Sequence, residues 1–266
     1  MRRRDLCNSL VMISMVAALC TANHTSAAVK TEPFSYEVDG VTFQGVYSVD
    51  ESIPGKRPVV LVVHEWWGLT DHAKQTAARL AELGYVGVAL DLYGGGKVTA
   101  SANEAAAWSS ALKQQPEKAR RRFEAALAAL QAYPTVDKEK IAAIGFCFGG
   151  TMVLEMARMG LPLKGVVSFH GGLTTNVAKP VSPISTRILV CHGADDPAVP
   201  ASELAAFEDE MRRLGADWQV VVYGGAKHSF TNPAADSYNL PPAKYDPKAA
   251  QRSWEHMKVF LAEIFR

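Results

Sequence analysis

The length and charge of the chain narrow its class. It has 266 residues, of which 48% are hydrophobic and 21% charged, and 28 Lys+Arg against 27 Asp+Glu give a formal net charge of +1. The apolar fraction excludes a disordered chain, and the near-zero charge argues against nucleic-acid binding by a basic surface. The length suffices for one full-sized hydrophobic core.

The first 28 residues have the pattern of a secretory signal peptide. Three arginines at positions 2–4 precede a mostly apolar run at 10–19, and small and polar residues follow. A basic start, an apolar segment too short to span a bilayer and a small-residue end are typical of a segment removed on export. We therefore expect cleavage after Ala27 or Ala28 and a periplasmic or secreted mature chain.

Three alternatives for this segment stay open: a retained anchor helix, lipid attachment at Cys20 and twin-arginine export. Lipid attachment is disfavoured because bulky Leu19 precedes Cys20. Cleavage would leave 25 basic and 26 acidic residues, a net charge of −1, and only Cys147 and Cys191 as cysteines. So few cysteines exclude a disulfide scaffold.

Short apolar runs alternate with longer amphipathic segments along the rest of the chain. Segments 34–38 and 42–49 flank an Asp39-Gly40 turn, which predicts an antiparallel hairpin. The remaining strands, typical of burial on both faces, are predicted at 59–63, 86–90, 141–146, 166–169, 188–191 and 220–223. Helices are predicted at 70–83, 102–112, 117–132, 151–159 and 202–214, and from Pro247 through Phe265.

This alternation predicts an α/β fold with a mostly parallel, twisted sheet of about eight strands and helices on both faces. The sequence contains no Pro/Gly/Ser-rich linker and no internal repeat. We therefore expect residues 29–266 to form a single domain.

A cysteine stands where a buried strand ends and a helix begins. The sequence Gly-Phe-Cys-Phe-Gly-Gly at 145–150 has the spacing of a nucleophile elbow, with Cys in place of Ser. Glycines flank such a nucleophile because the sharp turn brings neighbouring atoms close. The helix N-terminus would favour a thiolate on Cys147, and the Phe148 N–H would face a developing oxyanion.

Two later segments supply an acid and a base. Asp195 and Asp196 follow one predicted strand, and His228 follows the next. Like Cys147, each would stand just past the carboxyl end of a different parallel strand. The chain order of nucleophile, acid and histidine indicates a catalytic triad, with either aspartate as the acid.

Five segments of the chain carry a family signature. They are Val63-His64-Glu65-Trp66-Trp67-Gly68-Leu69, Asp91-Leu92-Tyr93, the elbow at 145–150, Gly-x-x-Asp-x-x-Val-Pro at 193–200, and His228-Ser229-Phe230. Together they resemble the dienelactone hydrolase family of α/β-hydrolases over nearly the whole mature chain. The resemblance implies the α/β-hydrolase fold and carboxymethylenebutenolidase-like hydrolysis of carboxylic esters or lactones.

The resemblance also assigns roles to single residues. Family spacing makes Asp196 the triad acid, because it stands three residues before Val199. The resemblance implies that Glu65 contacts the nucleophile at rest and modulates its ionisation. It further implies that the Trp66 N–H joins that of Phe148 in the oxyanion hole.

The sequence departs from the family where substrate is selected. The resemblance implies one substrate-binding arginine just after the Asp-Leu-Tyr strand and another shortly after the His-Ser-Phe loop. Here these positions hold glycines at 94–96 and Thr-Asn-Pro at 231–233. Trp67, Tyr93 and Lys97 are the candidate substrate-pocket residues, while the natural substrate and the oligomeric state stay open.

No cofactor or metal is expected. His64, His170 and His192 each follow a predicted strand, but they lack the spacing and the cysteine or carboxylate partners of a zinc site. Cys191 is predicted to be a core thiol, too far across an intervening strand to form a disulfide with Cys147. The expected partner is a small ester or lactone, with no nucleic acid and no membrane span after signal cleavage.

The predicted chemistry is acyl transfer through a thioester. His228 takes the proton of Cys147 while Asp196 orients the imidazole, the thiolate attacks the carbonyl, and water hydrolyses the thioester. Two alternatives stay open. One is a non-catalytic binding protein on a hydrolase fold, and the other is a thiol-based redox or stress protein in which Cys147 is oxidised.

Overall fold

The computed structural model describes residues 29–266, so the predicted signal peptide at 1–28 lies outside the described residues. The strands are β1 Val29–Val38, β2 Val41–Asp50, β3 Arg57–Val63, β4 Val86–Leu90, β5 Val136–Phe146, β6 Gly165–Phe169, β7 Arg187–Gly193 and β8 Trp218–Tyr223. The helices are α1 Asp71–Glu82, α2 Ala102–Lys113, α3 Pro116–Ala129, α4 Phe148–Arg158, α5 Ala201–Arg213 and α6 Pro247–Ile264.

The eight strands form one sheet in the order β1-β2-β4-β3-β5-β6-β7-β8. The hairpin of β1 and β2 is antiparallel and joins antiparallel to β4, whereas all pairs from β4 to β8 are parallel. The predicted class, a mostly parallel α/β sheet of about eight strands, is therefore confirmed.

Side chains of the central strands alternate between two apolar layers, which explains their β-branched sequences. Leu61 and Val63 of β3 contribute to the layer that includes residues of α3, α4 and α5. Val60 and Val62 contribute to the opposite layer, with residues of α1 and α6. Within residues 29–266, no helix combines the length and apolar character required to cross a membrane.

Two predicted boundaries differ from the structure near the site. Strand β5 begins at Val136 rather than at 141, because the polar residues at 137–140 hide its start in the sequence. Helix α4 begins at Phe148, directly after the cysteine, rather than at 151. Glycine is required in its first turn, because a Cβ on Gly149 would lie 2.4 Å from the carbonyl oxygen of Val63.

Candidate active site

The elbow at 145–150 places Cys147 in a strained backbone conformation. Cys147 has φ of 52° and ψ of −115° and lies between the end of β5 and the start of α4. Such a φ is uncommon for a residue with a side chain and marks functional sites. Gly145 is required beside it, because a Cβ there would lie 2.1 Å from the carbonyl oxygen of Gly149. The thiol is partly exposed, as an attacking group requires.

Asp196 and His228 meet beyond the ends of β7 and β8. Nδ1 of His228 lies 2.8 Å from Oδ2 of Asp196. The other carboxylate oxygen of Asp196 accepts a 2.8 Å hydrogen bond from the Ala198 N–H. Asp196 is buried, whereas its neighbour Asp195 is exposed. The geometry thus pairs His228 with Asp196.

His228 also contacts the proposed nucleophile. Burial by itself lowers the pKa of His228, but the charge of Cys147 and hydrogen bonds to Asp196 and Cys147 raise that pKa well above its usual range. Since Asp196 occupies Nδ1, the nitrogen left for the sulfur is Nε2. The raised pKa makes the imidazole of His228 a stronger acceptor for the proton of Cys147.

The oxyanion hole that the family resemblance implies would use the backbone N–H groups of Phe148 and Trp66. Phe148 is the first residue of α4, so its N–H has no acceptor within the helix. The peptide before Trp66 is fixed by His64, whose Nδ1 lies 2.6 Å from the Glu65 carbonyl oxygen. That peptide is planar and trans, so the Trp66 N–H points opposite to the Glu65 C=O. The contact that holds the C=O therefore also sets the direction of the N–H.

Glu65 is almost completely buried, at 2% exposure. Its Oε2 accepts a 2.5 Å hydrogen bond from Nδ2 of Asn232 and lies 4.0 Å from Nδ1 of His72. Its Oε1 has no hydrogen-bond partner among residues 29–266. The contact between Glu65 and Cys147 that the family resemblance implies stays a prediction. Asn232 lies in the segment where the resemblance implies the second arginine, so a neutral amide holds this carboxylate.

The three candidate pocket residues differ in position. Tyr93 is half-buried, and its ring lies 5.4 Å from that of Phe148. Burial and then the charge of Cys147 raise the pKa of Tyr93, which places its hydroxyl within electrostatic reach of the sulfur. Trp67 is buried and contacts the ring of Tyr238 at 4.6 Å. Lys97 is exposed and borders a cavity of about 140 Å³ together with Tyr93.

The sequence analysis missed a histidine that contacts the elbow. The backbone N–H of Cys147 donates a 3.1 Å hydrogen bond to Nδ1 of His170. Nε2 of His170 lies 2.8 Å from Oγ1 of Thr231, in the loop after His228. The available signal was a histidine placed directly after a buried strand and before two glycines, at 170–172. Asn232 was missed as well, because its partner Glu65 is distant in sequence.

The described residues 29–266 contain no group of three or more His, Cys, Asp or Glu arranged to hold a metal ion. Both cysteines in this range are free thiols. Burial raises the pKa of the Cys191 thiol to about 12. Cys191 is therefore unreactive, in contrast to the partly exposed Cys147.

Comparison with known proteins gives one consistent result. The dienelactone hydrolase family profile matches residues 43–265. A solved dienelactone hydrolase-like promiscuous phosphotriesterase from metagenomic libraries is 43% identical, with a TM-score of 0.86, covering 90% of this chain and 99% of that one. The structure named m3DLH is 41% identical with a TM-score of 0.86, covering 90% and 100%. A Saccharolobus solfataricus protein, provisionally named a carboxymethylenebutenolidase, is 27% identical over 262 residues, covering 86% and 97%.

Proposed function

The chain belongs to the dienelactone hydrolase family of α/β-hydrolases, and we propose that it hydrolyses small esters or lactones with Cys147 as the nucleophile, His228 as the base and Asp196 as the acid. One observation carries this proposal. The imidazole of His228 hydrogen-bonds Asp196 at 2.8 Å and also contacts Cys147, and the three residues come from three different strand ends.

The proposed reaction has two halves. Nε2 of His228 takes the thiol proton, the sulfur of Cys147 bonds to the carbonyl carbon, and the carbonyl electron pair moves to oxygen. The N–H groups of Phe148 and Trp66 stabilise that oxyanion, each contributing about 3 kcal/mol. The C–O bond then breaks and His228 protonates the departing oxygen. Water, deprotonated by His228, then adds to the thioester carbonyl carbon. The C–S bond breaks, the carboxylic acid leaves, and His228 returns the proton to the sulfur of Cys147.

Aromatic residues around the elbow favour an aromatic or short acyl substrate. The ring of Tyr93 lies 5.4 Å from that of Phe148, and the Tyr93 hydroxyl donates a 3.1 Å hydrogen bond to the Trp66 carbonyl oxygen. The segments where the family places arginines hold glycines at 94–96 and Thr231-Asn232-Pro233. Because a thiolate is also a good leaving group, activated esters and enol lactones are better substrates than amides.

An ester and lactone panel tests the proposal. The wild type is assayed with p-nitrophenyl acetate, phenyl acetate and an enol lactone, beside Cys147→Ala and the control Cys191→Ala, which removes the buried thiol. We expect turnover by the wild type and the control and none by Cys147→Ala, with an acyl adduct on Cys147 in quenched samples by mass spectrometry. Equal rates for the wild type and Cys147→Ala would overturn the triad. A wild type that turns over no substrate would favour a binding or redox role.

Export is a separate part of the proposal. The basic and apolar pattern of residues 1–28 supports removal of this segment and a periplasmic or secreted mature enzyme. N-terminal sequencing of the protein recovered after expression of the full chain should start near residue 28 or 29, in the periplasmic or medium fraction. An uncleaved chain in the cytosol or the membrane fraction would contradict export.

A second candidate activity is hydrolysis of neutral phosphotriesters. The 43% identical relative is a promiscuous phosphotriesterase, and the segments where the family resemblance implies two substrate-binding arginines hold none here, which suits a substrate without an acidic group. With paraoxon, an S–P bond would form as the P–O bond to p-nitrophenolate breaks, and water would then cleave the S–P bond. Continuous release of p-nitrophenolate supports this activity, whereas one stoichiometric burst shows that paraoxon is only an inhibitor.

A further inference from the structure

His170 follows β6 and lies between the proposed nucleophile and the loop that carries the proposed base. It is 1% exposed. The backbone N–H of Cys147 is shared between Nδ1 of His170, at 3.1 Å, and the carbonyl oxygen of Phe169, at 3.0 Å. His170 therefore contacts the peptide on which the reactive sulfur is mounted.

The hydrogen bonds of His170 determine which ring nitrogen carries its proton. Nδ1 faces the N–H of Cys147, so Nδ1 must be the acceptor. The proton of a neutral ring then lies on Nε2, which donates to Oγ1 of Thr231 at 2.8 Å. Burial and then the neighbouring charges of His228 and His72 lower the pKa of His170 well below its ordinary value, so the ring is neutral.

The backbone is strained at Cys147, His170 and Ser229, near the ends of three strands, and surrounding contacts must hold it in place. Within residues 29–266, five non-glycine residues have positive φ, and three of them are Cys147 at 52°, His170 at 41° and Ser229 at 56°. Each such residue costs roughly 1 kcal/mol or more and persists where its surroundings hold it. His170 is held by the hydrogen bonds of its ring and by its own N–H, which donates to the Cys191 carbonyl at 2.9 Å.

The ring of His170 also packs against the loop after β8. It meets the His228 ring edge-to-face, with centroids 5.3 Å apart at 65°, and the Phe230 ring at 5.2 Å and 77°. One side chain thus touches the peptide of Cys147, the ring of His228 and the hydroxyl of Thr231. Displacement of this ring changes the separation of the sulfur and the imidazole.

We propose that His170, as its neutral Nε2–H tautomer, is a positioning residue that ties the Cys147 backbone to the 228–231 loop through Thr231. It does not touch the reacting atoms. It keeps the sulfur and Nε2 of His228 at reaction distance, so the inference rests on the proposed function of that pair. The Thr231 hydroxyl acts only through His170: without this acceptor, the proton can move to Nδ1, where it would oppose the Cys147 N–H.

A double-mutant cycle tests this coupling. With p-nitrophenyl acetate, we expect His170→Phe and Thr231→Val each to lower kcat about tenfold and to change KM by less than about twofold, because misplacement of reacting groups acts on the chemical step. The double variant should match His170→Phe, since Thr231 has no effect without the histidine. Thr186→Val is the matched control, because Thr186 is buried and its hydroxyl has no partner among residues 29–266. Additive losses in the double variant would overturn the coupling.

Two further measurements do not depend on ester turnover. ¹⁵N NMR of histidine-labelled enzyme should show that the buried ring whose signals disappear in His170→Phe is an Nε2–H tautomer; an Nδ1–H tautomer for that ring would refute the proposal. Alkylation of Cys147 by iodoacetamide at pH 7 should slow severalfold in both single variants, because His228 is no longer held beside the sulfur. Identical alkylation profiles would also refute it. If iodoacetamide alkylates the wild type but the wild type hydrolyses no ester, the proposed function fails, and the alkylation rates of the variants still test the role of His170. If His170→Phe does not fold, the alkylation rate of Thr231→Val tests that role.

Discussion

The side-chain amide of Asn232 donates a 2.5 Å hydrogen bond to Oε2 of Glu65, across 167 residues of chain. Both residues are 2% exposed, and the second carboxylate oxygen of Glu65 has no hydrogen-bond partner among residues 29–266. A buried acidic group with so few donors depends strongly on the one that it has. The loop after β8 and the loop after β3 are therefore joined beneath the proposed site.

Asn232→Leu should destabilise the protein, because it removes this donor and leaves the carboxyl group of Glu65 buried without it. The expected loss is about 1 to 3 kcal/mol in the free energy of unfolding, measured by urea denaturation. In a Glu65→Gln background, Asn232→Leu should lower the free energy of unfolding by less, because burying a neutral amide without a hydrogen-bond partner costs less than burying a carboxylate without one. Asn103→Leu, on the exposed face of α2, is the control and should lie within about 0.5 kcal/mol of the parent. Equal losses in both Glu65 backgrounds would contradict a direct dependence.

Asp196→Asn should impair catalysis far more than stability. An amide in place of the carboxylate favours the wrong tautomer of His228 and no longer stabilises the imidazolium, and in the serine-protease triad this change lowers kcat by about 10⁴. The exposed neighbour supplies the control, so Asp195→Asn should retain kcat within about twofold. The comparison uses initial rates with p-nitrophenyl acetate. A large loss in Asp195→Asn with activity retained in Asp196→Asn would reverse the assignment.

Arg158, the last residue of α4, forms ion pairs that anchor this helix. This arginine is fully buried, with Nη1 2.9 Å from Oε1 of Glu155 and Nη2 2.7 Å from Oε2 of Glu210. Arg158→Met leaves two carboxylates without their partner, so we expect a loss of about 3 to 5 kcal/mol in the free energy of unfolding. Arg212→Met breaks ion pairs of an exposed side chain on α5 and a contact with the Trp218 ring 5.6 Å away, and should change the free energy of unfolding by less than about 1 kcal/mol. Similar losses in urea denaturation would show that burial does not decide the effect.

The predictable parts of the site are those with a local signature. Cys147 stands out because glycines flank it with the spacing of a strand-to-helix turn, and Asp196 and His228 because each follows an apolar strand. Parallel strands bring their carboxyl ends to one edge of the sheet, so strand order alone brings these segments together. The structure confirms the mostly parallel sheet that was predicted.

The contacts that the sequence did not reveal are those between loops. The ring of His170 meets Cys147 and Thr231 only because β6 lies beside β5 and the loop after β8 folds back over it. Nothing within a few residues of His170 indicates either partner. The same holds for Asn232 and Glu65, whose hydrogen bond depends on how two loops are placed rather than on any local pattern.

The buried histidines predict how stability depends on pH. Burial lowers the pKa of His64, His72, His170 and His192 below the ordinary value of 6.5. These groups stay neutral in the folded protein while they bind protons in the unfolded chain as pH falls below about 6.5. The unfolded state then binds more protons, so the free energy of unfolding falls with decreasing pH until the folded protein also protonates.

Each histidine that stays neutral contributes a slope of up to about 1.4 kcal/mol per pH unit in that window. His228 has the opposite sign: its pKa is raised, so its contribution is fully present below 6.5 and is lost as pH rises through the higher folded value. Urea denaturation of the wild type from pH 7.5 down to pH 5.5 should therefore show a steep loss of stability. In His170→Phe the slope should be shallower than in the wild type by up to the contribution of one histidine. A slope equal in wild type and His170→Phe would mean that His170 is protonated in the folded protein, contrary to its two hydrogen bonds.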